Sequence, residues 1–451
     1  MKATRHLAGL AVLVALCLAL GSVNAFAQAA TAGGQDQGAG KQAYTMPEYN
    51  AYKACADDKV PASQIKCFDD FVAKYPNSAL LVYVYPAYIQ AYGAQKNYAK
   101  LIENADKLNQ LGDKVDALTR LQALFARASS YLTLSPADQT TQAKGQRDAS
   151  DLGLKLLNDV KKPEGATDEA FNQSKKQYAT LFNNAAAQAA TLQKDYAAAA
   201  GYFKPVLAIN PDDPVAHYLL GKTYLAMTPP QTMDGYWQVA KAITSKSAND
   251  GQKKQLTPYL KKLVNAYQGG TVCDSLTDSE FNELLQLAGS SADRPESYKI
   301  LSSADLDAAR KDMTIASVIT DLKAGGDKAK VTWFASCGLE FPEVPGKLIE
   351  VATPAADPVV LKLAFVTSQA EFDAATTADM EVKIVGQPAA GKLEKDSLPH
   401  FTATLVSYDP APAFMLHWEK GTVKAEDLPK DEEKPVKKPP VRKPAPKKPS
   451  N

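Results

Sequence analysis

The run Gln193-Lys194-Asp195-Tyr196-Ala197 restates, with a single exchange, the earlier run Gln95-Lys96-Asn97-Tyr98-Ala99. Each lies between two stretches in which apolar residues recur every three or four positions, the spacing of one helical face. A short polar turn that recurs between helices marks a repeat protein. Asn97 and Asp195 suit the N-cap of the following helix, because a side-chain oxygen there accepts from the free amides of the first turn. Tyr98 and Tyr196 are then placed to pack back on the preceding helix. Outward from the second turn, residues 180–247 keep a period of 34: Ala187 falls on Gly221, Phe203 on Trp237 and Val206 on Ala240. Small residues at 187 and 221 let two helices approach closely, and the aromatic ring fills the space beside that approach.

This pattern resembles the tetratricopeptide repeat family, whose helix-turn-helix units place Gly or Ala, Tyr, Ala, an aromatic, Ala and Pro at fixed spacings. Residues 180–213 carry Ala187, Ala199, Phe203 and Pro211. Residues 214–247 carry Leu220, Gly221, Tyr224, Trp237 and Ala240, with Met233 at a position usually small and Thr228-Pro229-Pro230 lengthening the turn. Residues 82–115 match at Tyr92 and Tyr98, and residues 45–78 at Phe68 and Pro76. The resemblance implies an α-solenoid of helix-turn-helix pairs over residues 44–267, stable only because its units stack, with a concave protein-binding groove lined by the first helix of each pair. In that register Asn184, Gln188 and Thr191 share one polar stripe, continued by Tyr218 and Lys222, and these are the candidate peptide-binding residues. The Lys and Asn groups with which some members clamp a peptide carboxylate are not reproduced.

Before the repeats, Tyr49, Tyr52 and Cys55 and then Ile65, Phe68, Val72 and Tyr75 trace two amphipathic helices separated at Val60-Pro61. Thr167, followed by Asp168 and Glu169, opens a long helix whose stripe runs Phe171, Tyr178, Phe182, Ala185, Ala189, Leu192. Residues 268–330 read as a helical cap or connector, with one helix opened by a Thr277-x-x-Glu280 capping box and another over 303–322 ended by Gly325-Gly326. After Lys330 the composition turns β-prone, in runs over 347–351, 359–366, 380–385, 401–407 and 414–418. Val382 and Ile384 alternate with Glu381 and Lys383, and Phe401, Ala403 and Leu405 with Thr402 and Thr404, so each run has one buried face. Residues 331–428 are therefore expected to form a small all-β domain, an OB-like barrel or a sandwich.

The chain holds 51 Lys/Arg and 50 Asp/Glu, a net charge of +1 that hides a partition. Residues 430–451 hold eight Lys/Arg against three Asp/Glu, and residues 1–27 hold Lys2 and Arg5, so the stretch between carries −6. Lys2 and Arg5, an apolar run from Leu7 to Leu20 and Ala25-Phe26-Ala27 make residues 1–27 a cleaved secretory signal, the apolar run falling short of the roughly 20 residues that span a bilayer. Residues 28–43 are a flexible Ala/Gly/Gln-rich lead-in, and residues 429–451 an extended, disordered Lys/Pro-rich tail, a spacer or a segment with electrostatic contact to an anionic envelope surface. Loss of Cys17 with the signal leaves Cys55, Cys67, Cys273 and Cys337 in an oxidising compartment, which allows three connectivities. A bridge between Cys55 and Cys67 is favoured, since the two lie on consecutive helices of one hairpin.

The sequence is poor in chemistry. Gly221-Lys222-Thr223 lacks the glycine a phosphate-binding loop needs before it, and Ser63-x-x-Lys66 has no accompanying Lys-Thr-Gly or Ser-Asp-Asn. Neither Gly-x-Ser-x-Gly nor His-Glu-x-x-His occurs, and His217, His400 and His417 have no metal-ligand spacing. No catalytic residue, cofactor or metal site is assigned, and an exported chain gives no reason to expect nucleic acid. The expectation is a non-enzymatic protein-binding or scaffolding protein of the bacterial cell envelope, in the periplasm or outside the cell, acting through its groove. Two alternatives are a cell-wall or envelope hydrolase using acids such as Glu381, Asp396 or Asp409 of the β-domain, and a structural protein tethered by its tail.

Overall fold

Capping chemistry sets the first helix. Thr45 accepts from the Glu48 amide while the Glu48 carboxylate accepts from the Thr45 amide, and this reciprocal cap opens α1 (Met46–Asp57). The structure is a computed structural model that describes residues 43–270, 273–355 and 357–429. The expected signal, nearly all of the lead-in and the tail from residue 430 lie outside the described residues. Two compact units divide between Ala126 and Arg127.

In the first unit Pro61 starts α2 (Pro61–Lys74), and a disulfide joins Cys55 to Cys67 with Cα atoms 5.3 Å apart. A second pair follows, α3 (Leu81–Ala94) and α4 (Tyr98–Gln110). Phe68, Phe71, Val84 and Tyr88 are the buried centre of α1–α3. The helix α5 (Ala117–Tyr131) runs across the division between units.

The second unit begins with α6 (Pro136–Asp159) and α7 (Asp168–Leu192), the latter opened by Thr167, whose hydroxyl accepts from the Ala170 amide. Next come α8 (Tyr196–Ile209), α9 (Pro214–Ala226) and α10 (Thr232–Thr244). Residues that fell one period apart in the sequence are all buried here: Ala187 and Gly221, Phe203 and Trp237, Val206 and Ala240. Gly221 faces Gly235 across α9 and α10 so closely that a Cβ on Gly221 would stand 2.8 Å from the Gly235 carbonyl oxygen. Two more helices, α11 (Asp250–Tyr267) and α12 (Asp274–Ser290), share a core with α10 through Trp237, Ile243, Leu260, Val264 and Leu284.

The two restated turns have one conformation. Asn97 and Asp195 each donate their amide to a carbonyl five residues back, Tyr92 and Ala190, at 2.9 Å, while Lys96 and Lys194 donate to Gly93 and Thr191 at 3.0 Å. This is a Schellman closure, and it puts a lysine, not the usual glycine, in the left-handed region, at φ 56° for Lys96 and 60° for Lys194. The Asn97 and Asp195 side chains then accept from the Lys100 and Ala198 amides as N-caps of α4 and α8.

Three local expectations are corrected. The helix expected over 303–322 is two, α13 (Ser303–Arg310) and α14 (Ile315–Ala324), because Ser302 and Thr314 each form a capping box of their own. A further helix, α15 (Gly326–Ser336), continues past Lys330 into the stretch assigned to the all-β domain. Thr277-x-x-Glu280 is not a capping box: α12 starts at Asp274 after Cys273, which is bonded to Cys337, so Thr277 and Glu280 lie inside the helix.

The β-region is a closed barrel of β1 (Glu340–Val351), β2 (Val359–Phe365), β3 (Met380–Ile384), β4 (His400–Asp409) and β5 (Met415–Val423), in the order β1-β2-β3-β5-β4. A short helix, α16 (Gln369–Ala374), links β2 to β3. All pairings are antiparallel except β3 with β5, and β4 closes on β1. The OB-like alternative, not the sandwich, is the one adopted. Val382, Ile384, Phe401, Ala403 and Leu405 point inward as their alternation requires, around Trp418, whose ring meets Phe341 and Phe401 edge-on at 5.5 and 5.6 Å. Val318, Ile319 and Leu322 of α14 belong to this same core, so part of the helical connector is packed as barrel.

Candidate functional site

Consecutive first helices α7, α9 and α11 carry the residues that the repeat register assigns to a groove. Tyr218 on α9 sets its ring edge-on to Tyr259 of α11, centroids 6.2 Å apart, and the exposed Lys222 ammonium stands 5.5 Å from the Tyr218 centroid. Burial pushes both phenols above their ordinary value, so each remains a neutral hydrogen-bond donor at physiological pH. Two half-buried rings with a cation beside them offer a platform for a backbone segment and its side chains. Tyr259 had no signature residue near it, and only the packing of α11 beside α9 reveals its part.

On α7 the stripe is more occupied than expected. The Gln188 amide donates to Gln139 Oε1 of α6 at 2.6 Å, so this side chain ties two helices together. The Thr191 hydroxyl donates to the Ala187 carbonyl at 2.8 Å, within its own helix. Asn184 is half-buried one turn before Gln188. Asn184, Gln188 and Thr191 thus share a face of α7, while the aromatic–cation platform lies on α9 and α11.

A second feature is a cleft of about 220 Å³ on the barrel, lined by Glu381, Lys383, Val406, Ser407, Asp409, His417, Trp418 and Glu419. Strand register builds it, since Glu381 of β3 and Ser407 of β4 both pair with His417 of β5. His417 Nε2 lies 2.9 Å from Asp409 and Nδ1 3.4 Å from Glu381, and Lys383 pairs with Glu419 at 3.2 Å. Two of the three acids singled out from sequence therefore meet on one imidazole. The third, Asp396, lies elsewhere and pairs with Lys347 at 3.2 Å. A carboxylate stands at each ring nitrogen, so both nitrogens of His417 are turned to Asp409 and Glu381 and not to Ser407. The other described histidines are engaged as well: His217 between Gln238 and the Pro211 carbonyl at 2.6 and 2.9 Å, His400 with Asp427 at 3.1 Å. Among the described residues no group of three or more His, Cys, Asp or Glu is disposed to hold a metal ion, and no helix is long and apolar enough to cross a membrane.

A third cluster is buried. Gln268 at the end of α11 donates its amide to the Glu280 carboxylate, and the Thr277 hydroxyl donates to Gln268 Oε1 at 3.3 Å. Burial pushes Glu280 up to about 7, offset by Lys330, whose ammonium is 4.0 Å away, and reinforced by Glu283. This cluster joins α11, α12 and α15, and Gln268, Thr277 and Glu280 are all buried within it.

No curated protein matches the chain. Residues 190–227, from the last residues of α7 through the Gln193–Ala197 turn, α8 and α9, match the family model of the tetratricopeptide repeat.

Proposed function

We propose that the chain is a non-enzymatic protein-binding scaffold exported to the bacterial cell envelope, holding an extended protein or peptide segment along the first helices of its repeat pairs. The observation that carries this reading is the platform of Tyr218, Lys222 and Tyr259: Tyr218 and Lys222 are groove positions in the repeat register and lie inside the matched segment, and Tyr259 packs against Tyr218 from α11. Stacked helical repeats present extended concave surfaces of this kind for protein recognition. Export is supported by the basic, apolar and Ala-Phe-Ala pattern of residues 1–27. The bonds Cys55–Cys67 and Cys273–Cys337 fit an oxidising compartment.

The hydrolase alternative draws less support, because the one histidine beside a serine in the barrel cleft is held at both nitrogens by carboxylates. Affinity capture from the native envelope tests the scaffold reading. Full-length chain should enrich a defined protein that the double variant Tyr218→Ala/Lys222→Ala retains several-fold less well; equal capture by both would remove the groove from the account.

A further inference from the structure

The first unit exposes a tyrosine face that the groove of α7, α9 and α11 does not use. Tyr44 stacks on Tyr49 at 5.9 Å, and Tyr52 lies 6.1 Å from Tyr83 of α3. Tyr83 is 52% exposed, Met46 56% and Tyr49 37%, among the most exposed large apolar side chains described. Beneath them Tyr52 rests on Phe68 and Phe71, at 6.1 and 6.4 Å, so the face has a rigid base. Carboxylates flank it on α1: Glu48 at one end and Asp57 at the other, with Lys53 paired to Asp57 at 2.8 Å. Burial, then the Tyr83 and Tyr49 phenols and the Asp57 charge, raise the Tyr52 phenol, as expected of hydroxyls gathered on one surface.

The chain itself carries a segment of complementary chemistry. Residues 430–451 contain six prolines and eight Lys/Arg, and from Lys434 to Pro449 no acidic residue interrupts them. Tyrosine rows recognise proline-rich segments because the pyrrolidine rings fill the spaces between aromatic rings, while phenol hydroxyls donate to carbonyls that have no competing local amide. Lysines in such a segment add cation–π contacts and pair with flanking carboxylates. We propose that the tyrosine face of Tyr44, Tyr49, Tyr52 and Tyr83 binds the Lys/Pro-rich segment 430–451 of a second copy of the chain. Every copy then supplies one donor and one acceptor, a heterologous contact that extends copy by copy. The inference builds on the scaffold reading, but segment binding on α1 and α3 and capture of a foreign protein on α9 and α11 succeed or fail separately.

The test uses the full-length chain and a fluorescent synthetic peptide of residues 430–451, followed by anisotropy. Saturable binding is expected, weakened about tenfold by Tyr83→Ala or Tyr49→Ala and largely kept by Tyr83→Phe, as for loss of an aromatic anchor. A peptide with its prolines replaced by alanine keeps the charge and should bind about tenfold more weakly. Sedimentation velocity should show self-association that rises with concentration, is dispersed by excess peptide and is absent from Tyr83→Ala chain whose circular dichroism is unchanged. Equal binding of the alanine-substituted peptide, or of the tyrosine variants, would overturn the proposal. So would a full-length chain that stays monomeric while the peptide binds, or a peptide that pellets with anionic phosphatidylglycerol vesicles and ignores the chain.

Discussion

Substituting Gly221 by alanine should weaken the protein, although glycine in a helix interior is ordinarily the poorer residue. A Cβ at this position would meet the Gly235 carbonyl oxygen and Val239 Cγ2 at 2.8 Å and the Val239 amide nitrogen at 3.1 Å, where ordinary contact starts near 3.4 Å. Two of those atoms are backbone, so relief requires α9 and α10 to move apart by about half an ångström, which forfeits a sizeable part of the dispersion between them. Overpacking of this kind costs about 1–3 kcal/mol, against about 1 kcal/mol gained from alanine's better helix propensity. A net loss of about 1 kcal/mol is expected. Gly201 is the control: it lies exposed in α8 with nothing within 4 Å of where a Cβ would be. There the same exchange should stabilise by about 1 kcal/mol. The two variants should therefore move the urea and thermal midpoints, followed by far-ultraviolet circular dichroism, in opposite directions. If Gly221→Ala raised the midpoint as much as Gly201→Ala, the close approach of α9 and α10 would not be what the glycine serves.

Three further outcomes follow from the packing. Glu280 is neutral in the folded chain up to about pH 7 but ionises near 4.5 when unfolded, so stability should be full below about pH 4.5, fall as pH rises to 7 and level off beyond. The fall amounts to about 3 kcal/mol, and Glu280→Gln, which can still accept from Gln268, should flatten it in pH-resolved denaturation; an unchanged profile would place the titration elsewhere. Reduction of the disulfides should lower the thermal midpoint, the bond spanning 64 residues contributing about 4 kcal/mol and the one spanning 12 about 3 kcal/mol in the loop-entropy account. Paired serine variants measured with and without reductant separate the two, and a bond whose loss shifts nothing would contradict that account. Lys194→Gly should raise stability by about 1 kcal/mol by relieving a left-handed backbone, and a neutral or lower midpoint would count against strain at that turn.

The helical half was legible because its signals are local. Thr167 announces α7 through its own hydroxyl, and Phe203 and Trp237 fall one period apart because each fills the same place in a stacked pair. Within the Gln193–Ala197 turn, Asp195 could be read as a cap from its side chain, whereas the positive φ of Lys194 could not, since lysine is not a residue that advertises it. The strands were visible through alternation at Val382 and Ile384, but the parallel pairing of β3 with β5 joins residues far apart in the chain and leaves no local trace. The meeting of Glu381, Asp409 and His417 depends on that register, so the acids could be named but not brought together. Thr277 and Glu280 misled for a related reason: the capping spacing is real, but the helix had already begun at Asp274. Tyr259 and Gln139 were missed because each acts on a candidate residue from a neighbouring helix, Tyr259 beside Tyr218 and Gln139 holding Gln188.

The central claim, a protein-binding face on the first helices of the repeat pairs, can be read directly with a photo-crosslinking amino acid. One version of the full-length chain carries it at Lys222 of α9 and another at Lys204, exposed on the second helix α8. Irradiation in the native envelope should give a discrete protein adduct from position 222 that is absent from position 204. Adducts of equal yield from both positions, or from neither, would contradict a groove on that face.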